Sequence, residues 1–298
     1  MTAAGPAHRG TIALEDAVVL AQAAWPGRQY VLHLQAPGCA SRAQAGQFAH
    51  LSCAAELPLR RPLSIQRADT ASGTIEILYK VVGAGLERLA AAAPGERLSC
   101  LGPIGRGFEP DPARPRALLI GGGVGMPPVV FLAETLHAQA AQGFRPLALL
   151  GSEIPFPFRE RPSTLLVPGM PDGTIAAHPL LERWGVASRL ASGAGFDGCF
   201  HGHVTELARQ WLRTLSAAAQ AEVAVYACGP TPMLAACARL AREFRVPCQV
   251  SLEEFMACAV GGCAGCTVEV ATPAGPAMKR VCVDGPVFDA TAVFPSAA

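Results

Sequence analysis

The chain has 298 residues, of which 51% are hydrophobic and 16% charged, with a formal net charge of +1. That length allows two or three domains with sizeable cores. The near-neutral balance leaves no basic surface for nucleic acid or an anionic membrane, so neither is expected as a partner.

The start, MTAAGPAHRG, lacks a charged region followed by an apolar one, so no secretory leader is expected. Residues 1–10 read as a flexible N-terminus. Residues 11–113 are β-rich. Strands are predicted at Gln29–Gln35, Gln47–Ser52, Leu63–Arg67, Thr74–Val82 and Arg97–Leu101, with turns at Pro26-Gly27, Pro37-Gly38, Ser72-Gly73 and Pro94-Gly95. One helix is predicted over Gly85–Ala92. Strands at this spacing predict an antiparallel β-barrel.

The stretch GFEPDPARPR (Gly107–Arg116) reads as a linker, and the pattern then changes. Ala117–Ala133 is long, apolar and uncharged. Its three consecutive glycines and Pro127-Pro128 make it a strand, a loop and a helix rather than a membrane span. A cytoplasmic protein is expected. Further strands are predicted at Pro146–Leu150, Leu165–Val167, Ala187–Leu190 and Val223–Ala227, with helices between several of them. Thr231–Phe244 is an amphipathic helix with Leu234, Cys237, Ala238 and Ala241 inward. Residues 114–249 therefore read as an α/β domain with a doubly wound parallel sheet. From about residue 250 to 298 no helical or strand period is visible. That segment is too small for a strong core, and a metal cluster would supply its cohesion.

That last segment holds Cys258, Cys263, Cys266 and Cys282, spaced C-x4-C-x2-C with the fourth after a gap of fifteen residues. Three thiolates on a tight loop plus a distant fourth suit a [2Fe–2S] cluster, and the first intervals are those of plant-type ferredoxins. The small residues around them let backbone N–H groups close on the sulfurs. Zinc is the alternative, although zinc sites use paired C-x2-4-C knuckles or Cys/His mixtures. A fully paired disulfide framework is impossible with 11 cysteines. The other seven (Cys39, Cys53, Cys100, Cys199, Cys228, Cys237, Cys248) are scattered and read mostly as small buried hydrophobes.

Three further strings carry chemistry. GGGVGMPP (Gly121–Pro128) is a glycine turn between strand and helix, where a backbone can approach a pyrophosphate. It is not G-x-G-x-x-G, and a tight turn without ligand is the other reading. YACGPTPML (Tyr226–Leu234) places Cys228 and Gly229 at a strand's carboxyl end, where such sheets bind ligands; a merely buried cysteine is the alternative. In RPLSI (Arg61–Ile65) the arginine offers a fork for a phosphate and Ser64 a hydroxyl for a flavin ring nitrogen. Alone, it reads as an exposed arginine near a strand start. His33, His50, His137, His178, His201 and His203 show no metal spacing. No acid–base triad stands out, so no catalytic side chain is assigned.

RPLSI, LYKVVGAGL (Leu78–Leu86), GPIGRGF (Gly102–Phe108), GGGVGMPP, CGPTPM and the cysteine loop occur in one order, and that order resembles the ferredoxin reductase superfamily. Within it, the chain is similar to the electron transfer subunits of dihydroorotate dehydrogenase B. Their C-terminal segment reads much like SLEEFMACAVGGCAGCTV with a fourth cysteine in KRVCVDGPVFDA. The resemblance runs from about residue 11 to 291. It implies that Arg61, Pro62, Leu63 and Ser64 hold FAD, with second and third contacts from Leu78, Tyr79 and Lys80 and from Gly85 and Leu86. It implies NAD at Gly121, Gly122, Gly123, Val124, Gly125, Cys228, Gly229 and Pro230, and the cluster on Cys258, Cys263, Cys266 and Cys282.

Three departures accompany it. Leu86 stands where the family usually has Ser or Thr. Gly151–Glu160 lacks the usual run, and Ala191–Leu207 keeps only its closing G-x-V-T-x-L part. NAD rather than NADP rests on the lack of a basic cluster at 190–203 beyond Arg189; NADP stays open.

The resemblance further implies electron transfer between NAD(H), FAD and the cluster, with the cluster serving an FMN-containing dihydroorotate dehydrogenase catalytic subunit that makes orotate in pyrimidine biosynthesis. Two copies of each subunit would form a heterotetramer, docked near the cysteine segment. The rival readings are a flavin/[2Fe–2S] subunit of a ferredoxin–NADP oxidoreductase or sulfide dehydrogenase, an oxygenase reductase, and a non-catalytic redox sensor. The short gap before Cys282 opposes the oxygenase reductase, and the absence of a DNA-binding helix pair opposes the sensor.

Overall fold

A computed structural model describes residues 10–54 and 56–295. The expected N-terminal stretch 1–10 lies, except for Gly10, outside the described residues. The chain divides into two compact units, Met1–Gly107 with Leu252–Val287, and Phe108–Ser251 with Phe288–Ala298.

The first unit is built on a closed antiparallel barrel. Its strands are β1 (Ala13–Trp25), β2 (Gln29–Gln35), β3 (Phe48–Leu51), β4 (Arg61–Asp69), β5 (Thr74–Lys80) and β6 (Arg97–Ile104), in the order β1-β2-β5-β4-β3-β6. Alternate residues point inward, so Leu32, Leu34, Leu51, Ile65, Ile75, Ile77, Cys100 and Ile104 fill the interior. Each large apolar side chain contributes about 1.5–3 kcal/mol by leaving water. Two short helices flank the strands, α1 (Pro37–Ala40) and α2 (Ala84–Ala90).

β1 was not expected. Its sequence, ALEDAVVLAQAAW, is alanine-rich and lacks clean alternation, because a bulge between Val19 and Ala21 switches the exposed face midway. The bulge also lets one strand pair with β6 along its first half and β2 along its second, which closes the barrel.

The second unit carries a sheet in the order β12-β11-β8-β7-β13-β14-β17. Its first strands are β7 (Arg116–Gly122) and β8 (Leu147–Gly151), with the helix α3 (Met126–Ala138) between them. A small pair, β9 (Arg161–Pro162) and β10 (Ala176–Ala177), lies apart from it. Then come α4 (Pro179–Trp184), β11 (Ala187–Ser192), β12 (Phe200–His201), α5 (Val204–Thr214), α6 (Ala217–Ala221), β13 (Val223–Cys228), α7 (Thr231–Phe244) and β14 (Cys248–Ser251). The pairs from β12 through β14 are parallel, and every residue of β13 is buried, as expected for strands covered on both faces. Chain order runs outward from β7 in both directions, so the topological switch point lies between β7 and β13.

Leu165–Val167 forms no strand. Leu166 is 93% exposed, so three apolar residues in a row here mark a loop and not a buried edge. The C-terminal segment is more regular than its pattern suggested. Thr267–Thr272 (β15) and Gly275–Arg280 (β16) form an antiparallel hairpin, followed by α8 (Val281–Asp284), β17 (Val287–Asp289) and α9 (Ala290–Val293). β15 does alternate, but only from Thr267 to Val270 before Ala271 interrupts it, too short a run to stand out. No helix of the described residues is long and apolar enough to cross a membrane.

Two histidines sit where a charge is costly. His50 on β3 is fully buried and neither ring nitrogen has a hydrogen-bond partner. Burial, reinforced by the Arg60 charge, brings it down to about 4. His178 caps α4 through Nδ1, and burial, then Arg183, brings it down to about 3. The unfolded chain takes up these protons near pH 6.5 and the folded chain only well below it. Their contribution is therefore complete above pH 6.5 and is lost as pH falls toward 4, by up to about 1.4 kcal/mol per pH unit for each group. Urea midpoints measured between about pH 7 and 4 should fall less steeply for His50→Phe than for wild type.

Candidate functional site

The four predicted cysteines fall in two pairs, Cys258 with Cys263 and Cys266 with Cys282. The fifteen residues between Cys266 and Cys282 are the β15–β16 hairpin with its turn, plus Val281. The hairpin runs out and returns, pairing Thr267 with Arg280, and Val281 N donates to Cys266 O at 3.0 Å. Cys282 Sγ thus lies 3.4 Å from Cys266 Sγ, about the separation of two thiolates on one tetrahedral metal. On the loop, Cys263 N donates to Cys258 Sγ at 3.4 Å and Gly265 N to Cys263 Sγ at 3.4 Å.

The electrostatics differ between the pairs. Burial opposes ionisation of Cys258, but N–H groups of Cys263, Val260 and Gly262 and the Cys263 side chain outweigh it and bring the thiol to about 6. Burial, the bond to Cys266 and the Cys266 charge push Cys282 up to about 12. Loading Cys282 must therefore displace a proton. Ala259 and Ala264 both adopt φ 56°, a region that costs an ordinary residue about 1–2 kcal/mol. Strain of this kind persists only where the surroundings over-determine it.

Among the described residues no three Cys, His, Asp or Glu side chains gather as ligands of a single ion. A [2Fe–2S] cluster asks instead for two thiolates on each of two irons, and two pairs are what the loop and hairpin provide. The residues fit such a cluster.

Arg280, which the spacing argument passed over, clamps the loop. Its Nη1 donates to Gly261 O at 2.8 Å, and its N–H to Asp284 Oδ2 at 2.8 Å. Its place two residues before Cys282 in KRVC was the available signal. Gly261 sits at φ 83° with Val283 where a Cβ would go, so the loop has little freedom there. Arg280→Met should leave all four thiols in place but speed iron loss to a chelator severalfold to about tenfold, read as decay of visible absorbance. An unchanged rate would show that the clamp is dispensable. The segment is also tied to the barrel, where Arg106 N, just past β6, donates to Gly285 O at 2.6 Å, and it is closed on itself by Leu252 N donating to Pro286 O at 2.9 Å.

The residues expected around FAD lie on the barrel. Arg61 opens β4, with Nη1 donating to Leu59 O at 2.7 Å. Its guanidinium lies over Gly85, where a Cβ would be 2.7 Å from Nη2, so the first and third expected contacts meet. Gly85 and Leu86 are in the first turn of α2, ahead of the bond from Glu87 N to Gly83 O. Amides in a first helical turn are donors open to a phosphate. Pro62 and Ser64 are half-buried; Leu63, Leu78 and Leu86 are buried, and Lys80 is exposed. Tyr79 is buried, stacked on Tyr30 with centroids 5.5 Å apart, and its hydroxyl donates to Gln22 at 2.7 Å. Its side chain is thus engaged within the barrel.

In the second unit, the turn after β7 and the turn after β13 touch. A Cβ on Gly125 would lie 2.5 Å from Cys228 C and O and from Gly229 Cα. Gly122 faces Pro230 and Met233. The predicted strings Gly121–Gly125 and Cys228–Pro230 therefore meet at the switch point, beside the N-terminal turns of α3 and α7. A dinucleotide's pyrophosphate fits such a surface.

The profile of the iron–sulfur cluster binding domain of dihydroorotate dehydrogenase B matches residues 253–294. The dihydroorotate dehydrogenase B (NAD(+)) electron transfer subunit of Desulforamulus reducens is 33% identical over 92% of this chain and 95% of its own. That of Geobacillus thermodenitrificans is 36% identical over 94% and 98%. The chain belongs to this family of electron transfer subunits. It is an oxidoreductase subunit with an iron–sulfur binding domain. Among solved structures, one of an NADH-dependent reduced ferredoxin–NADP oxidoreductase superposes with a TM-score of 0.72 at 24% identity, covering 93% of this chain and 89% of that one. A ferredoxin reductase of carbazole 1,9a-dioxygenase gives 0.61 at 20% identity, over 79% and 67%. These two share the fold, a barrel followed by a parallel α/β sheet.

Proposed function

We propose that this subunit carries electrons between NAD(H) and a partner through FAD and a [2Fe–2S] cluster, and that the partner is an FMN-containing catalytic subunit oxidising dihydroorotate to orotate. The two-and-two arrangement of Cys258, Cys263, Cys266 and Cys282 carries the reading, and the family's name supplies the substrate. A flavin exchanges two electrons with a nicotinamide and single electrons with an iron–sulfur centre, which is the chemistry it would supply here.

The chain's own residues have supporting tasks. Arg61 over Gly85, with the first-turn amides of α2, would bind the flavin's pyrophosphate. The crevice of Gly121, Gly122, Gly123, Val124, Gly125, Cys228, Gly229 and Pro230 would hold the dinucleotide. The N–H groups of Val260, Gly262, Cys263 and Gly265 would solvate the cluster's sulfurs and exclude water from them. No side chain of this chain is assigned as acid or base: the two electrons of each hydride would pass on singly and its proton would be released to solvent. Phe255 (94% exposed), Val260 (36%) and Met278 (62%) surround the cysteine segment with apolar surface that a partner would cover. A cytoplasmic heterotetramer with two of each subunit follows from the same reading.

The test is purification with and without the partner. Alone, the reconstituted chain should reduce a dye with NADH and leave dihydroorotate untouched; the copurified complex should couple the two. Dihydroorotate turnover by the isolated chain, or copurification with a large iron–sulfur/FAD subunit instead, would overturn the assignment.

A further inference from the structure

The loop after β8 begins Gly151-Ser152-Glu153, which puts a carboxylate two residues beyond the carboxyl end of the second strand of the parallel sheet. Ser152 N donates to Ala191 O at 3.1 Å, drawing this loop against the end of β11. There Gly193 N donates to Glu153 Oε1 at 3.4 Å, and a Cβ on Gly193 would stand 2.8 Å from Glu153 Oε2. Phe156 packs on Phe196, with centroids 6.1 Å apart, and Phe158 on His178 at 4.1 Å. The two loops following β8 and β11 are therefore already joined, with Glu153 exposed above them.

A dinucleotide whose pyrophosphate rests on the turn after β7 sends one half toward β13 and the other toward β8 and β11. In a doubly wound sheet an acidic group at this second position meets the adenosine ribose: it accepts from the 2′-hydroxyl and repels a 2′-phosphate. The local cation does not offset it. Arg189, the arginine of β11, is buried, with its guanidinium donating to Ser188 O at 2.6 Å and Leu165 O at 2.7 Å. Glu160 and Asp197 add negative charge on the same two loops, close enough to act on the Cys199 thiol. Arg159 and Arg161 follow only beyond the Phe156–Phe158 turn.

We propose that Glu153 holds the adenosine ribose and sets the preference for NAD over NADP. This rests on the dinucleotide crevice proposed above, so the experiment separates the two. Binding of 5′-AMP and of 2′,5′-ADP to the full reconstituted chain is measured by calorimetry, together with flavin reduction by NADH and NADPH. Wild type should bind 5′-AMP and discriminate against 2′,5′-ADP. Glu153→Gln should tighten 2′,5′-ADP and NADPH roughly tenfold or more while changing 5′-AMP severalfold at most. Glu153→Ala should relax the discrimination equally and also weaken 5′-AMP. An unchanged ratio in both variants overturns the role of Glu153 and leaves the crevice standing. Wild type that binds neither nucleotide overturns the crevice, and this inference with it.

Discussion

Cys282→Ser is expected to strip the cluster from the protein. Analysed iron and acid-labile sulfide should fall at least tenfold after desalting, and the visible bands of the cluster should disappear while flavin absorbance stays. The reason lies in the hairpin. Fifteen residues of chain serve to return one sulfur to within 3.4 Å of Cys266. A serine oxygen there is a harder, far less acidic donor than a thiolate. Within its own unit no other cysteine can substitute, since Cys39, Cys53 and Cys100 are buried at the barrel. Cys199→Ser should retain full iron. The loss should also loosen residues 252–287, whose own apolar contacts are few: Val270, Val281, Val283 and Val287 are its buried valines. Iron retained in Cys282→Ser would remove this residue from the ligand set.

Much of this arrangement could be read from residue order, for identifiable reasons. The proposed ligands stand out because a loop that brings three sulfurs together must be short, as C-x4-C-x2-C is, with small residues between them. The parallel sheet was legible because both faces of β7, β8 and β13 are covered, so their sequences are continuous apolar runs. β1 was hidden because a single bulged strand serves two neighbours and keeps no face constant. Glu153 and Arg280 were hidden for another reason. Each is placed by a contact with a backbone group distant in sequence, Gly193 N and Gly261 O, and such a contact leaves no spacing rule behind. Tyr79 shows the converse. A residue in an expected flavin stretch has its hydroxyl bound by Gln22, a partner on the unforeseen β1.

Gly125→Ala should disable the proposed dinucleotide crevice while leaving the residues proposed for flavin and cluster, in the other unit, untouched. The added methyl would stand 2.5 Å from Cys228 C and O and Gly229 Cα, all backbone at the end of a fully buried strand. No side chain can rotate away, so α3 and the turn after β13 must separate. Overpacking of this kind costs about 1–3 kcal/mol. The same displacement moves apart the backbone surfaces on which a pyrophosphate would rest, and a shift near 1 Å can cost about a hundredfold in rate. Reduction of the flavin by NADH should therefore slow by about two orders of magnitude, whereas dithionite should still bleach both chromophores. Gly123→Ala separates space from strain. Gly123 has φ 54° and nothing within 4 Å of a Cβ, so alanine there meets only the left-handed penalty of about 1 kcal/mol. If the two variants slowed NADH equally, close approach of the turns would not be what the glycines provide. If only Gly125→Ala did so, the contact between the β7 turn and Cys228–Gly229 is what shapes the crevice.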